Sequence, residues 1–339
     1  MTPERLGFDS WFAAHAPESQ PEGCAIARVC AVDRGSYCLR NELGDVPAEL
    51  AGKLLHQSER AADLPCVGDW VTAQYYDHGR AAIIHQVFAR KTFLRRRAAG
   101  GSANEQMIAA NVDIAFIVQS GHFDFNPNRL ERYLIMAADG RVEPIVLLTK
   151  TDLLTSEELE HRLAIIASVT TARTIALSSV TGAGLEELRG ALDPGKTCCL
   201  LGSSGVGKTT LVNRLVGLDA YATRNVSATG EGTHTTTRRQ LILLESGAML
   251  MDTPGMRELG ILGAGDCVDM GLKEMAALAS NCRYADCTHR HEPGCAVRAA
   301  IQNGDLEEDR YAGYLKLRKE AEFNEMSSLD KRKKDKAFG

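Results

Sequence analysis

Eight consecutive residues, Gly202-Ser203-Ser204-Gly205-Val206-Gly207-Lys208-Thr209, constrain this chain more than any other stretch. They set four residues between two glycines and follow the second directly with Lys and Thr, the pattern of a phosphate-binding loop. The apolar run Cys198-Cys199-Leu200-Leu201 ahead of it reads as a buried strand. Residues 210–216, Thr210 onward, read as a helix with one apolar face. Glycines let successive amides turn toward phosphate oxygens, and the helix start adds its own amides and dipole. Lys208 is suited to neutralising the outer phosphates, and the Thr209 hydroxyl to holding magnesium. An ordinary glycine-rich turn would not need all four fixed positions between a strand and a helix. The chain is expected to bind a nucleoside triphosphate.

Around that loop, strands and helices alternate, which signals a parallel α/β sheet. Strands are expected at 113–118, 145–148, 174–177 and 248–251, with helices over 129–138, 156–168 and 185–192. Three further motifs end strands. Thr149-Lys150-Thr151-Asp152 is similar to the Asn-Lys-x-Asp guanine reader of GTPases, whose last carboxylate accepts two hydrogen bonds that adenine does not offer. Ser178-Ser179 is similar to the loop that contacts the guanine carbonyl, and Asp252-Thr253-Pro254-Gly255 to the magnesium-side Asp-x-x-Gly motif. The base-reading motifs precede the phosphate loop, so the domain reads as a circularly permuted GTPase.

The segment between the phosphate loop and Asp252 is expected to hold the switch. It contains Gly232-Thr233-His234-Thr235-Thr236-Thr237. One of Thr235, Thr236 and Thr237 is expected in the magnesium shell. The pattern does not choose among them, and Thr236 stands for the three beside Thr209 and Asp252. Met256 follows Gly255, where many signalling GTPases carry the Gln that orients the attacking water; a thioether does not do this. His234 is the nearest replacement, with Lys208 and the Gly255 amide at the terminal phosphate.

Residues 1–22 read as an extension with a short amphipathic piece at Trp11-Phe12. Short β-type segments over 23–97, parted by turn residues, suggest a small barrel of the oligonucleotide-binding type. It ends in the basic run Arg90-Lys91-Thr92-Phe93-Leu94-Arg95-Arg96-Arg97, either a solvated linker or an RNA contact. Residues 98–106 read as a linker, 107–262 as the GTPase domain, and 263–339 as a mainly helical region with a helix over 306–324 and a basic tail at 331–336. The net charge of −5 gives no global attraction to nucleic acid, so any such contact must be local. No apolar run reaches membrane-span length and no secretory layout opens the chain, so a cytoplasmic protein without a membrane is expected. The ten cysteines are then thiols, and their one dense group is a metal signature. Cys282, Cys287, His289 and Cys295 form Cys-x4-Cys-x-His-x5-Cys, a closed tetrahedral set for one structural zinc, with His291 as the substitute for His289.

The permuted motif order, the switch residues around His234, Val67-Gly68-Asp69-Trp70 in the barrel, and the Cys/His site together resemble the bacterial ribosome small subunit-dependent GTPase A family. The resemblance covers nearly the whole chain. It implies an N-terminal oligonucleotide-binding barrel, a permuted GTPase core and a C-terminal zinc domain. It also implies a monomer that acts late in small-subunit assembly, contacts ribosomal RNA, cycles between GTP and GDP, and is stimulated by the particle. The family's catalytic histidine falls on His234 and its zinc ligands on Cys282, Cys287, His289 and Cys295. Thr149 departs from the family's Asn, which ties the base-reading loop to the phosphate loop, so weaker guanine binding with retained guanine preference is expected. Two alternatives stay open: an RNA-binding nucleotide switch with negligible catalysis, and an NTPase whose base choice Thr149 has relaxed.

Overall fold

The computed structural model describes residues 2–17, 22–33, 35–41, 44–97, 105–217, 239–252, 277–306, 311 and 315. Alternation of apolar residues builds its first unit. Strands β1 (Cys24–Asp33), β2 (Ser36–Asn41), β3 (Gly44–Leu50), β4 (Trp70–Tyr76) and β5 (Ala81–Val87) run in the spatial order β1-β2-β3-β5-β4, and β4 pairs back onto β1. The closed barrel buries one face of each strand: Ala27 and Val29, Tyr37 and Leu39, Val46 and Ala48, Val71 and Ala73, Ala82 and Ile84. Small residues opposite large ones fill so narrow a lumen with side chains alone. Strand β3 was not expected from the sequence. Its turn formers Gly44 and Asp45, the ladder-breaking Pro47 and the charged Glu49 mask a period of two that only Val46 and Ala48 carry. Helix α2 (Gly52–Gln57) follows it and buries no residue.

The short amphipathic piece expected at Trp11-Phe12 is a helix that packs onto the barrel. Asp9 caps α1 (Ser10–Ala14) by accepting from the amides of Trp11 and Phe12. Leu6 and Phe12 are buried, and the Phe8 ring meets Trp70 edge-on at 4.9 Å.

The second unit is a mostly parallel sheet. Its strands are β8 (Ile114–Ser120), β9 (Glu143–Thr149), β10 (Arg173–Ala176), β11 (Thr197–Leu201), β12 (Arg239–Leu243) and β13 (Met249–Asp252), in the order β10-β9-β8-β11-β13-β12. Only β12 runs antiparallel to its neighbour. The near-continuous apolar runs of β8 and β11 follow from burial on both faces. One face packs under α3 (Pro127–Asp139) and α4 (Ser156–Val169), the other under α5 (Leu185–Arg189) and α6 (Lys208–Val216). Asn126 caps α3, and a Thr155–Glu158 capping box starts α4.

Between these units, β6 (Phe93–Arg97) and β7 (Glu105–Ala110) form a two-stranded antiparallel sheet. The expected linker at 98–106 therefore overlaps a strand from Glu105 onward. Strand β1 joins the two units directly. Residues 24–28 of β1 pair with β4, whereas Ala31 and Val32 pair with Gln240 and Arg239 of β12, so one sheet of eleven strands runs through both. At this junction Arg28 is 1% exposed and donates to the carbonyls of Leu6 (2.5 Å), Gly68 (3.2 Å) and Asn111 (3.1 Å). Burial lowers its pKa to about 10, with Asp113 and Asp69 opposing the shift, so it stays a cation at neutral pH.

In the C-terminal region α7 (Ala296–Asn303) packs Val297 and Ala300 with Leu306 and with Ile135 of α3. Tyr311 and Leu315 are helical and Leu306 lies in a bend; the other residues of the helix expected at 306–324 lie outside the described residues, as does the basic tail. No helix among the described residues is long and apolar enough to cross a membrane.

Candidate functional site

The parallel strands end together, and so do the motifs they carry. Thr149 closes β9, Ser178 follows β10, Gly202 follows β11, and Asp252 closes β13 in register with Leu200. The carboxyl edge of such a sheet is where ligands bind in open α/β folds.

The phosphate loop is shaped by glycines at two positions where a side chain is excluded. At Gly202 (φ +156°) a Cβ would stand 2.7 Å from the Val118 carbonyl, and Gly207 (φ +102°) is the left-handed residue before α6. Lys208 is buried, and its ammonium donates to the carbonyls of Gly202 (2.8 Å) and Ser203 (2.6 Å), which puts a positive charge over the loop. Thr209 and Thr210 open α6 behind it. Ser203 donates its hydroxyl to Asp124, which also accepts from Arg129 at 2.5 Å. Asp124 and Arg129 had no signal in the sequence, because the loop after β8 carries no motif and meets Ser203 only through the fold.

On the base side, the Thr149 hydroxyl lies 2.6 Å from the Val206 carbonyl and 3.2 Å from that of Gln119. Its single proton serves the nearer oxygen. The Thr149 hydroxyl thus makes a hydrogen bond between the end of β9 and the phosphate loop. Lys150 adopts a left-handed backbone (φ +59°), which turns the chain so that Asp152 follows in a short helical turn. Ser178 is fully buried; it donates to Asp152 at 2.5 Å and accepts from the amides of Val180 and Thr181, both at 3.1 Å. Ser178 therefore fixes the orientation of the Asp152 carboxylate. The Ser179 carbonyl accepts from Arg214 of α6 at 3.0 Å, binding this loop to the helix that starts at the phosphate loop.

Asp252 is placed by its backbone in β13. His234, the threonines Thr235, Thr236 and Thr237, and Gly255 lie outside the described residues.

The second cluster stands in the C-terminal region. The Nδ1 atom of His289 lies 3.6 Å from the Cys282 sulfur and 3.5 Å from that of Cys295, and those two sulfurs are 3.9 Å apart. A zinc tetrahedron with Zn–S near ~2.3 Å and Zn–N near ~2.0 Å has edges of about 3.8 Å and about 3.5 Å, so the spacing fits that ion. Cys287 completes the set, with all four donor atoms within 4.8 Å of one another. The Ala296 amide donates to the Cys282 sulfur at 3.4 Å, and Tyr311 donates to the His289 carbonyl at 2.5 Å. Glu292 laces the intervening loop, accepting from the amides of Thr288, Arg290 and His291 and from the Thr288 hydroxyl. His291 is exposed and outside the cluster.

The basic run is largely consumed inside the protein. Arg90 makes a bidentate pair with the fully buried Asp69 (2.9 and 2.8 Å) and donates to the carbonyls of Ala62 and Leu64. Arg95 pairs with Asp139 and Glu105 and stands over the Phe93 ring at 5.1 Å. Neither is the solvated or polyanion-facing cation that the sequence suggested.

Fold and site together define a circularly permuted GTPase: the strand ends carrying residues 149–152 and 178–179 precede the phosphate loop in the chain and converge on it in space. The description "RsgA GTPase" fits residues 87–262 as a family model. A small ribosomal subunit biogenesis GTPase RsgA from Opitutus terrae is 41% identical over 94% of this chain and 90% of its own length. A second, from Lactiplantibacillus plantarum, is 39% identical over 100% of this chain and 96% of its own. Among solved structures, YjeQ from Thermotoga maritima superposes with a TM-score of 0.65 at 26% identity, covering 88% of this chain and 98% of that one. YloQ, a circularly permuted GTPase, matches in fold at a TM-score of 0.62, covering 92% of this chain and 100% of that one. The chain belongs to the RsgA GTPase family and is a GTP hydrolase.

Proposed function

We propose that this chain binds the small ribosomal subunit, acts in its late maturation, and hydrolyses GTP faster on the particle than off it. One observation carries the reading: a relative sharing 41% of its residues over 94% of this chain is named a small ribosomal subunit biogenesis GTPase. Guanine is assigned to Asp152, aimed by Ser178, with Thr149, Lys150, Thr151 and Ser179 around the base. The phosphates are assigned to residues 202–210. Thr209, Asp252 and Thr236 are the residues to hold the magnesium that accompanies the nucleotide and offsets phosphate charge. His234 orients the attacking water, while Lys208 and the Gly255 amide stabilise the charge growing on the terminal phosphate.

The zinc set Cys282, Cys287, His289 and Cys295 offers no open position, so its role is structural. Residues 23–97 carry the RNA-facing barrel, 107–262 the GTPase domain and 263–339 the zinc domain of a cytoplasmic monomer. The test is GTP turnover by the purified protein with and without purified small subunits, beside His234→Ala. Strong stimulation that the variant loses is expected. A rate that small subunits leave unchanged overturns the particle-activated mechanism.

A further inference from the structure

Three successive barrel strands each contribute one metal-binding side chain to the same outer face. Cys30 lies on β1, Cys38 on β2 and Asp45 on β3, and their ligand atoms all lie within 4.8 Å of one another. The register explains the convergence. Val29 pairs with Leu39 and Ala31 with Cys38, so Cys30 is the extra residue of a β-bulge and stands beside Cys38. Asp45 pairs with Arg40, two residues from Cys38 and therefore on the same face, which makes it the diagonal neighbour of that thiol. The opposite face of these strands fills the barrel with Val29, Tyr37, Leu39 and Val46. The two cysteines instead join the core shared with Leu241, Met249 and Met251 of the nucleotide-binding sheet.

We propose that Cys30, Cys38 and Asp45 form a second metal site, separate from the Cys/His cluster, for a thiophilic divalent cation of the zinc type. Two sulfurs and a carboxylate are a soft-to-borderline donor set that suits zinc and does not suit magnesium or calcium. Their spacing is at most about 1 Å above the ~3.8 Å edge of a zinc tetrahedron, a gap that side-chain rotation closes. Arg40 makes a bidentate pair with Asp45 at 2.5 and 2.8 Å. A carboxylate has lone pairs for a cation and a hydrogen-bonding partner together, and ligating carboxylates are regularly held in this way.

Binding is balanced without any redox step. Two S–H bonds give up protons to solvent, two metal–sulfur bonds form, and the carboxylate adds a third. Hydrogen bonding with Cys38 and burial both raise the Cys30 pKa, so its proton is lost less readily than that of a free thiol. The fourth position is left to solvent, beside the exposed Asp45. An ion there bolts β1, β2 and β3 together one residue from Ala31, where β1 pairs with β12 of the nucleotide-binding sheet.

The test is native mass spectrometry of the full-length protein, saturated with zinc under a non-thiol reductant and then freed of excess metal. The wild type is expected to carry two zinc ions, Cys30→Ser and Cys38→Ser one, and Cys287→Ser one. Asp45→Asn is expected to lose the second ion at a lower chelator concentration than the wild type. GDP binding by the Cys30 and Cys38 variants checks that they fold, and should Cys30→Ser fail, Cys38→Ser and Asp45→Asn carry the comparison. One ion in the wild type, or two retained in both cysteine variants, overturns the site. Air oxidation that removes two thiols with no second ion under reductant also overturns it, because it leaves only a disulfide-forming pair.

Discussion

The Thr149 hydroxyl donates to the Val206 carbonyl at 2.6 Å, across 57 residues of sequence, and joins the end of β9 to the glycine-rich loop after β11. Both residues are buried, so the bond is sheltered from competing water. Replacing Thr149 with Val keeps the shape and removes the donor. The Val206 carbonyl is then left without this partner, at a cost of about 1–3 kcal/mol. GTP and GDP affinity are expected to fall by about ten-fold or more, since ~1.4 kcal/mol is one decade. Preference for guanine over adenine is expected to persist, because Asp152 and Ser178 are untouched. Isothermal titration with both nucleotides checks this, and an unchanged affinity would remove the role given to the hydroxyl.

Arg28 holds the N-terminal segment, the barrel and the residue before the nucleotide-binding sheet through three carbonyls. Arg28→Met retains much of the apolar stem but removes the donor from the Leu6 and Asn111 carbonyls and leaves the Gly68 carbonyl with only the Asn111 side-chain amide. A loss of about 3 kcal/mol or more is expected, as for a broken buried charge network. Urea unfolding measures it. A loss under about 1 kcal/mol would show that water or neighbouring donors replace the guanidinium.

Arg90 is spoken for by Asp69, Ala62 and Leu64, so its replacement is a stability change and not an RNA-binding one. Arg90→Ala strands the fully buried Asp69 carboxylate, and a loss of about 3–5 kcal/mol is expected. The slope of ribosomal RNA affinity against salt is expected to stay constant, whereas a residue touching one phosphate changes it by about 1. Binding titrations at several salt concentrations separate the two outcomes.

The loop around His289 depends on Glu292, whose acidity is increased by its hydrogen bond from Thr288 and by the surrounding backbone amides. A carboxylate more acidic in the folded chain than the unfolded value of 4.5 stabilises the fold fully above that value. The contribution fades as the pH falls below it. Chelator-driven loss of zinc is therefore expected to accelerate on acidification, helped by protonation of the thiolates. Glu292→Gln is expected to release zinc faster at neutral pH and to show a flatter dependence below pH 5. Zinc release into a chromogenic chelator gives both rates.

Metal removal is expected to act locally. The Cys/His cluster packs its apolar side on Ile135 of α3, while the base and phosphate loops are held by β9, β10, β11 and α6. Treatment with a strong chelator is expected to lose hydrogen-exchange protection around 277–306 while GDP affinity changes by less than about three-fold, within about 0.7 kcal/mol. A collapse of nucleotide binding on chelation would make the zinc domain part of the GTPase fold.

What the sequence determined by itself was local. The phosphate loop needs two glycines, a lysine and a threonine within eight positions, and the Cys/His set lies within fourteen, so chemistry and spacing share one window. The parallel strands were legible for the same reason: β8, β9 and β11 are buried on both faces and read as continuous apolar runs. Strand β3 was not, because Pro47 and its charged neighbours obscure its period. Tertiary structure alone decided the longer links. It turned Arg90 and Arg95 of the basic run inward to Asp69 and Asp139, set Asp124 against Ser203, and joined β1 to β12. Each of these unites residues 21 to more than 200 positions apart, and at that separation a charge or an alternation pattern names no partner until the chain has folded.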